Sequence, residues 1–242
     1  MLNVFNYPIQ YTHMPHIIEW QDKELLFLSV YDDINQNWKP CYTDWNDEED
    51  PVHFIDLNHK SICNLFCYKS SDNLHFSYIS MDSDNNFQLY CTETVDLKTF
   101  SPSKKISLST CWTGYCKDDQ IVTAQINELT ILQKSEIKKY SFPIFETIFR
   151  VFPYNDEILI TAIIEDIFHT YIFDYNSDKP ILKEIQTKDN KQIYKSTIYK
   201  NYLVVAERGS ADKPETLYDR KLIYYENFDI ILRPNIIINT IN

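Results

Sequence analysis

Glycine is almost missing from this chain: of 242 residues, only Gly114 and Gly209 lack a side chain. That excludes the glycine-rich loops that cradle phosphates, and neither a G-x-S-x-G elbow nor an H-E-x-x-H pair is present. The positive-φ corners of tight turns must then fall to other residues, among which Asn and Asp tolerate the left-handed conformation best. Basic residues are also scarce. Against 35 Asp and Glu there are 23 Lys and Arg, a net charge of -12. Such a surface repels phosphate backbones, so neither nucleic acid nor an anionic membrane surface is expected as a partner. No run approaches the ~20 apolar residues of a membrane-spanning helix, so membrane insertion is not expected. Residues 1–10 carry neither a basic stretch nor an apolar core of the secretory type, which makes a cytoplasmic setting the default. In that setting Cys41, Cys63, Cys67, Cys91, Cys111 and Cys116 are expected to be reduced. They lack the close C-x-x-C spacing of zinc sites, and their apolar neighbours suit buried small hydrophobes. No metal or cofactor is expected. Helical spacing of apolar residues is sustained nowhere; Leu129 to Tyr140 comes nearest and reads equally as a hairpin.

What the chain has in quantity is β-forming material. Hydrophobic residues make up 44%, enough for a sizeable core, and 18 Tyr and 14 Phe suit pleated, half-buried surfaces. Five segments share one shape, a strand, a polar turn and a second strand: residues 15–33, 61–82, 112–128, 149–166 and 194–209. The turns are Gln21-Asp22-Lys23, Ser70 to Asn73, Lys117-Asp118-Asp119, Asn155-Asp156 and Lys200-Asn201. The units recur at roughly 35–50 residues, the period of propeller blades, and each is followed by further strand material such as Phe87 to Thr92 and Thr170 to Tyr175. The expected fold is all-β, a single-domain five-bladed β-propeller with blades near 12–58, 59–108, 109–145, 146–190 and 191–242; the competing architecture is an irregular β-sandwich. Open sheet edges invite aggregation. Closure of the ring is therefore assigned to the strand-like ends, Asn3 to Tyr11 and Asn235 to Ile241, one completing a blade begun by the other.

Residues 87–102, FQLYCTETVDLKTFSP, resemble the outer part of a blade in five-bladed glycoside hydrolases of the arabinanase and β-xylosidase type. Thr94, Asp96, Leu97 and Phe100 match an S/T-x-D-L-x-x-W/F turn, in which Asp96 would cap its own turn while Leu97 and Phe100 pack between blades. THMPHIIEWQDKELLFLS looks like the opening blade of those enzymes, where an Asp-Pro pair places the general base; here Pro15 is preserved and Met14 stands at the Asp position. Glu146 to Asn155 resembles the segment carrying their general acid, with Thr147-Ile148 in place of the usual Gly-Pro.

Glycoside hydrolysis uses two carboxylates flanking the bond. The resemblance implies Glu146 as acid, and the acid just after the first hairpin, Asp33 or its neighbour Asp32, is its candidate partner. His13 and His16 flank Met14-Pro15, and Trp112, Arg150 and Arg208 stand at the heads of inner segments. An aromatic plane beside hydrogen-bonding groups suits a sugar, whose C–H faces are apolar and whose rim is polar. A shared metal on His13 and His16 is not expected, because residues three apart on a strand face opposite ways unless Pro15 kinks it. Asp82, Asp84 and Asn86 alternate like a calcium loop, yet Phe87 stands where such a loop needs Gly, so this is a hairpin turn. The ligand expected is a glycan, bound and, with a carboxylate pair, cleaved. The alternative is a non-catalytic interaction propeller, for instance a viral or phage accessory protein, recognising a protein or cell-surface ligand.

Overall fold

A computed structural model describes residues 4–6, 12–32, 37–47, 50–59, 61–107, 109–187, 196–200, 202–207, 221–225 and 227–241. Every regular element among them is a strand. Strand β1 (Val4–Asn6) belongs to the last sheet of the chain. The first sheet is β2 (Thr12–Trp20), β3 (Lys23–Asp32), β4 (Asn37–Asp44) and β5 (His53–Phe54) in chain order. The second is β6 (Cys63–Ser70), β7 (Asn73–Met81), β8 (Phe87–Thr94) and β9 (Lys104–Lys105). The third holds β10 (Thr113–Lys117), β11 (Gln120–Gln125), β12 (Glu128–Gln133) and β13 (Glu136–Ser141), so the Leu129 to Tyr140 segment is a hairpin. The fourth holds β14 (Thr147–Tyr154), β15 (Glu157–Ile164), β16 (Ile167–Asp174) and β17 (Ile181–Thr187). The fifth runs from β18 (Ser196–Tyr199) through β19 (Tyr202–Glu207) and β20 (Lys221–Tyr225) to β1.

The first strands of the sheets pack side by side in a circuit: β2 on β6, β6 on β10, β10 on β14, and β18 back on β2. The step from β14 to β18 is made by Arg150, whose guanidinium donates to the Ser196 carbonyl. A meander of antiparallel sheets around one axis is a β-propeller, all-β and in a single domain. Its apolar core lies between neighbouring sheets. Trp20, Leu25 and Phe27 of the first sheet join Leu74, Phe76 and Tyr78 of the second in one cluster, and Val122, Leu129 and Ile131 of the third join Ile158, Ile160 and Phe173 of the fourth in another.

The chain ends are used differently from the expectation. β1 pairs with β20 and so completes the fifth sheet, which closes the ring from the N-terminal side. The C-terminal run does not share that sheet: β21 (Phe228–Leu232) adds to the outer edge of β17, and β22 (Asn239–Ile241) adds to β13. The stretch 228–241 therefore lies outside the last blade, covering two exposed strand edges. Arg233, just past β21, anchors it: its Nη2 and Nε lie 2.5 and 2.6 Å from Glu184 on β17, whose other oxygen meets His169 Nδ1 at 2.7 Å. Burial pushes the Glu184 carboxyl up, but the bonds from His169 and Arg233 outweigh it and hold the group below the ordinary glutamate range. Glu184→Gln should therefore lower stability near neutral pH by about 1–3 kcal/mol. The gap between variant and wild type should close as pH falls through the depressed carboxyl pKa, where the wild type loses the same charge. Thermal unfolding of both proteins along a pH series checks this.

The hairpin corners take positive φ without glycine. In the five first hairpins these residues are Gln21 and Asp22 (49° and 64°), Ser71 (52°), Asp118 (52°), Asn155 (51°) and Lys200 (52°). Asn and Asp cover only part of the demand: Lys134, Ser135, Glu165 and Asp166 also sit there, because pairing on both sides of a two-residue turn dictates the backbone whatever the side chain. Gly114 serves another purpose. It lies within β10, and a Cβ there would sit 2.6 Å from the Val122 carbonyl oxygen on β11. Gly114→Ala should thus strain the β10–β11 pairing and cost about 1–3 kcal/mol, read as a shifted urea midpoint at unchanged m value.

The Asp96 turn behaves as its sequence indicates. Asp96 Oδ1 accepts the backbone N–H groups of Lys98 and Thr99 at 2.9 and 2.8 Å, Leu97 is buried and Phe100 packs on the same cluster. Asp82 likewise accepts the N–H groups of Asp84 and Asn86, closing the β7–β8 hairpin. All six cysteines are free thiols, and burial pushes those of Cys41 and Cys111 up to about 12 and about 11.

Candidate functional site

The propeller brings the heads of its first strands together, and three of those strands carry a bulge near the head. The ladder slips between His13 and His16 on β2, between Cys63 and Phe66 on β6, and between Ile148 and Arg150 on β14. His16, Phe66 and Arg150 therefore occupy one register position, the first residue paired again after the slip. Residues suited to bulges stand in two of these slips: Pro15, which has no N–H to offer a ladder, and Asn64, which adopts a left-handed φ of 52°. The bulges turn the next side chain toward the axis.

The three side chains and Phe152 plug the channel. The His16 ring lies 5.2 Å from that of Phe66 and 4.8 Å from that of Phe152, and the two phenyl rings meet edge to face at 5.1 Å. The Arg150 guanidinium stands over the Phe152 face at 4.5 Å. Because Phe66 is on the second sheet and Phe152 on the fourth, this contact crosses the axis. Around the plug, neighbouring first strands are tied by side chain to backbone bonds. His16 Nε2 is 2.5 Å from the Cys67 carbonyl, Asn64 Nδ2 donates to the Trp112 carbonyl at 2.8 Å, and Thr113 Oγ1 accepts the Val151 N–H at 3.1 Å. Arg150 closes the circuit, donating to Ser196 O at 2.8 Å and to Pro15 O at 3.1 Å.

Two features of this ring are chemically unfinished. Arg150 is 2% exposed and has five N–H donors; among the described residues it gives two bonds, both to carbonyls, and no carboxylate pairs with it. Burial lowers its pKa to about 9, so it remains a cation at neutral pH. Asn64 is buried, and its Oδ1 has no hydrogen-bond partner among the described residues. His16 is held neutral: burial drives its pKa down to about 3, against the pull of the Cys67 carbonyl and with a further push from Arg150.

The other residues read from the sequence are placed as follows. Trp112, just ahead of β10, is 56% exposed, with its ring 6.1 Å from Phe87, an open aromatic plane at the head end. Glu146, just ahead of β14, is exposed; its N–H donates to Ile163 O and its carboxylate has no partner among the described residues. Arg150 is met by two backbone carbonyls, Ser196 O and Pro15 O, and by no acid among the described residues. His13 lies on β2, but its side chain, like that of Asp32, is outside the described residues, as are Asp33 and Arg208 altogether. Structure thus brings His16 and Arg150 onto the same ring, Phe152, with Arg150 also bonded to the carbonyl of Pro15, the residue before His16. It adds Asn64, Phe66, Thr113 and Phe152, which sequence reasoning passed over. Phe66 carries no signal of its own in the sequence; the slip that sets it level with His16 is a feature of the pairing.

A propeller whose strand heads converge on a buried arginine and an open tryptophan is the class that fold and site define. No family model matches the chain, and no curated protein matches it by sequence. Solved structures do. The catalytic domain of a family GH62 α-L-arabinofuranosidase from Coprinopsis cinerea aligns with a TM-score of 0.58 at 9% identity, over 90% of this chain and 91% of that one. A GH62 hydrolase solved with xylotriose gives 0.57 at 10% identity, over 90% and 92%. A GH43_1 enzyme from Xanthomonas citri gives 0.56 at 7% identity, over 94% and 90%. The chain is a glycoside-hydrolase-like propeller in fold, as the turn at Asp96 implied.

Proposed function

We propose that this protein is a carbohydrate-binding propeller whose ligand seats at the head end of the channel, and that each of the five sheets is one blade of a five-bladed ring. Trp112 supplies the apolar plane, Asn64 Oδ1 an acceptor for a sugar hydroxyl and Arg150 the donors. The observation that carries this is the unfinished pairing among the described residues: a buried acceptor, and a buried cation with N–H groups to spare, are unfavourable unless a ligand or water answers them. Binding is favoured over hydrolysis because Met14 stands where the resembled enzymes place their general base, whereas cleavage needs two opposed acids about 5–10 Å apart. The ligand class is a neutral glycan such as a xylo-oligosaccharide.

A glycan array followed by calorimetric titration of xylotriose tests the reading. Binding should weaken about tenfold in Trp112→Ala, roughly 1.4 kcal/mol, without release of reducing ends. Release of reducing ends that Glu146→Gln abolishes would replace binding by hydrolysis. Silence across the array would remove the glycan altogether and leave the interaction propeller.

A further inference from the structure

On the other side of the plug the first strands end around a second depression, of about 400 Å³, to which all five contribute. The rings of His16, Phe66 and Phe152 line it from the channel side. Tyr68 and Tyr199 add aromatic surface at the strand ends, and Lys69 and Lys117 add two ammonium groups. Neither lysine has a carboxylate partner among the described residues; Lys69 Nζ merely rests 5.8 Å from the Trp20 ring centroid. The one acid of the lining, Glu19, shares Lys200, 3.4 Å away, with Glu24. In a chain carrying a net charge of -12, two unopposed lysines beside an aromatic floor on the axis run against the composition.

We propose that this tail-end depression is a separate binding site for an acidic sugar, a hexuronate unit of an oligosaccharide. Its carboxylate would lie between Lys69 and Lys117, the apolar C–H face of the ring on the aromatic floor, and its hydroxyls toward Tyr199. The volume suits a small ligand, within the ~300–1,000 Å³ typical of such sites. A phosphate has no apolar face for the aromatic floor to meet, whereas a sugar ring has one. The site is independent of the head-end reading, since it uses the opposite ends of the same strands.

Calorimetric titration with trigalacturonate at low ionic strength tests it. The wild type should bind. The double variant Lys69→Ala/Lys117→Ala should bind at least tenfold more weakly, and molar salt should weaken the wild type similarly by screening. Trp112→Ala should leave this titration unchanged. No binding, equal affinity in the double variant, or loss in Trp112→Ala would overturn the assignment, and so would displacement of bound trigalacturonate by xylotriose, which lacks the charge, or equal affinity for benzoate, which lacks the sugar ring.

Discussion

Replacing Arg150 by alanine should lower the unfolding free energy by about 3–5 kcal/mol. Two buried carbonyls, Ser196 O and Pro15 O, would lose their donors at about 1–3 kcal/mol each, and the face of Phe152 would border a cavity. The loss reaches beyond one strand, because this side chain is the bond between β14 and both β18 and β2. Arg150→Met separates the two roles. A flexible apolar chain fills most of the volume and no longer has to bury a charge, so the variant should lose distinctly less stability than alanine. It should still lose xylotriose binding, since every donor is gone. Denaturant midpoints for both variants, at an m value equal to wild type, give the comparison. An alanine variant as stable as wild type would mean that the guanidinium does not tie the ring.

The second large effect is an acid sensitivity set by His16. Its ring is buried and neutral, with a folded pKa of about 3 against an ordinary value of 6.5. Between those values the unfolded chain takes up a proton that the folded one refuses, so stability should fall by about 1.4 kcal/mol for each pH unit below 6.5. Carboxylates such as Glu184 add their own acid loss, but only lower on the scale. The wild type should therefore already weaken between pH 6.5 and 5, where carboxylates are still ionised. His16→Phe removes the titrating group while keeping a ring against Phe66 and Phe152. It should start less stable, with the Cys67 carbonyl left unpaired, and should show a flatter dependence over that interval. Equal slopes would show that His16 is not buried as described.

Much of the fold was legible because the physics behind it is local. Alternating apolar residues around polar corners at 21–22, 71, 118, 155 and 200 define five hairpins with no reference to tertiary structure. The Asp96 turn was equally readable, since its bonds span three residues. What could not be read were long-range choices. A strand-like run such as Asn235 to Ile241 pairs wherever an edge stands open, and sequence alone does not say that β13 offers one while β1 already covers β20. The site was half legible for the same reason. His16 and Arg150 stand out as polar residues in apolar strands, whereas Phe66 and Phe152 look like ordinary core and acquire meaning only when bulges aim them at the axis. Asn64 was hidden by its type, since one asparagine in a chain rich in them signals nothing until its oxygen is found buried and unpaired.

The most direct measurement is a nuclear Overhauser spectrum of protein labelled selectively at phenylalanine and histidine. With ring centroids at 5.1 Å between Phe66 and Phe152 and at 5.2 and 4.8 Å from His16 to each, cross-peaks should link all three rings. Their absence in a folded sample would mean that the second and fourth sheets do not meet across an axis, and the shared channel would not exist.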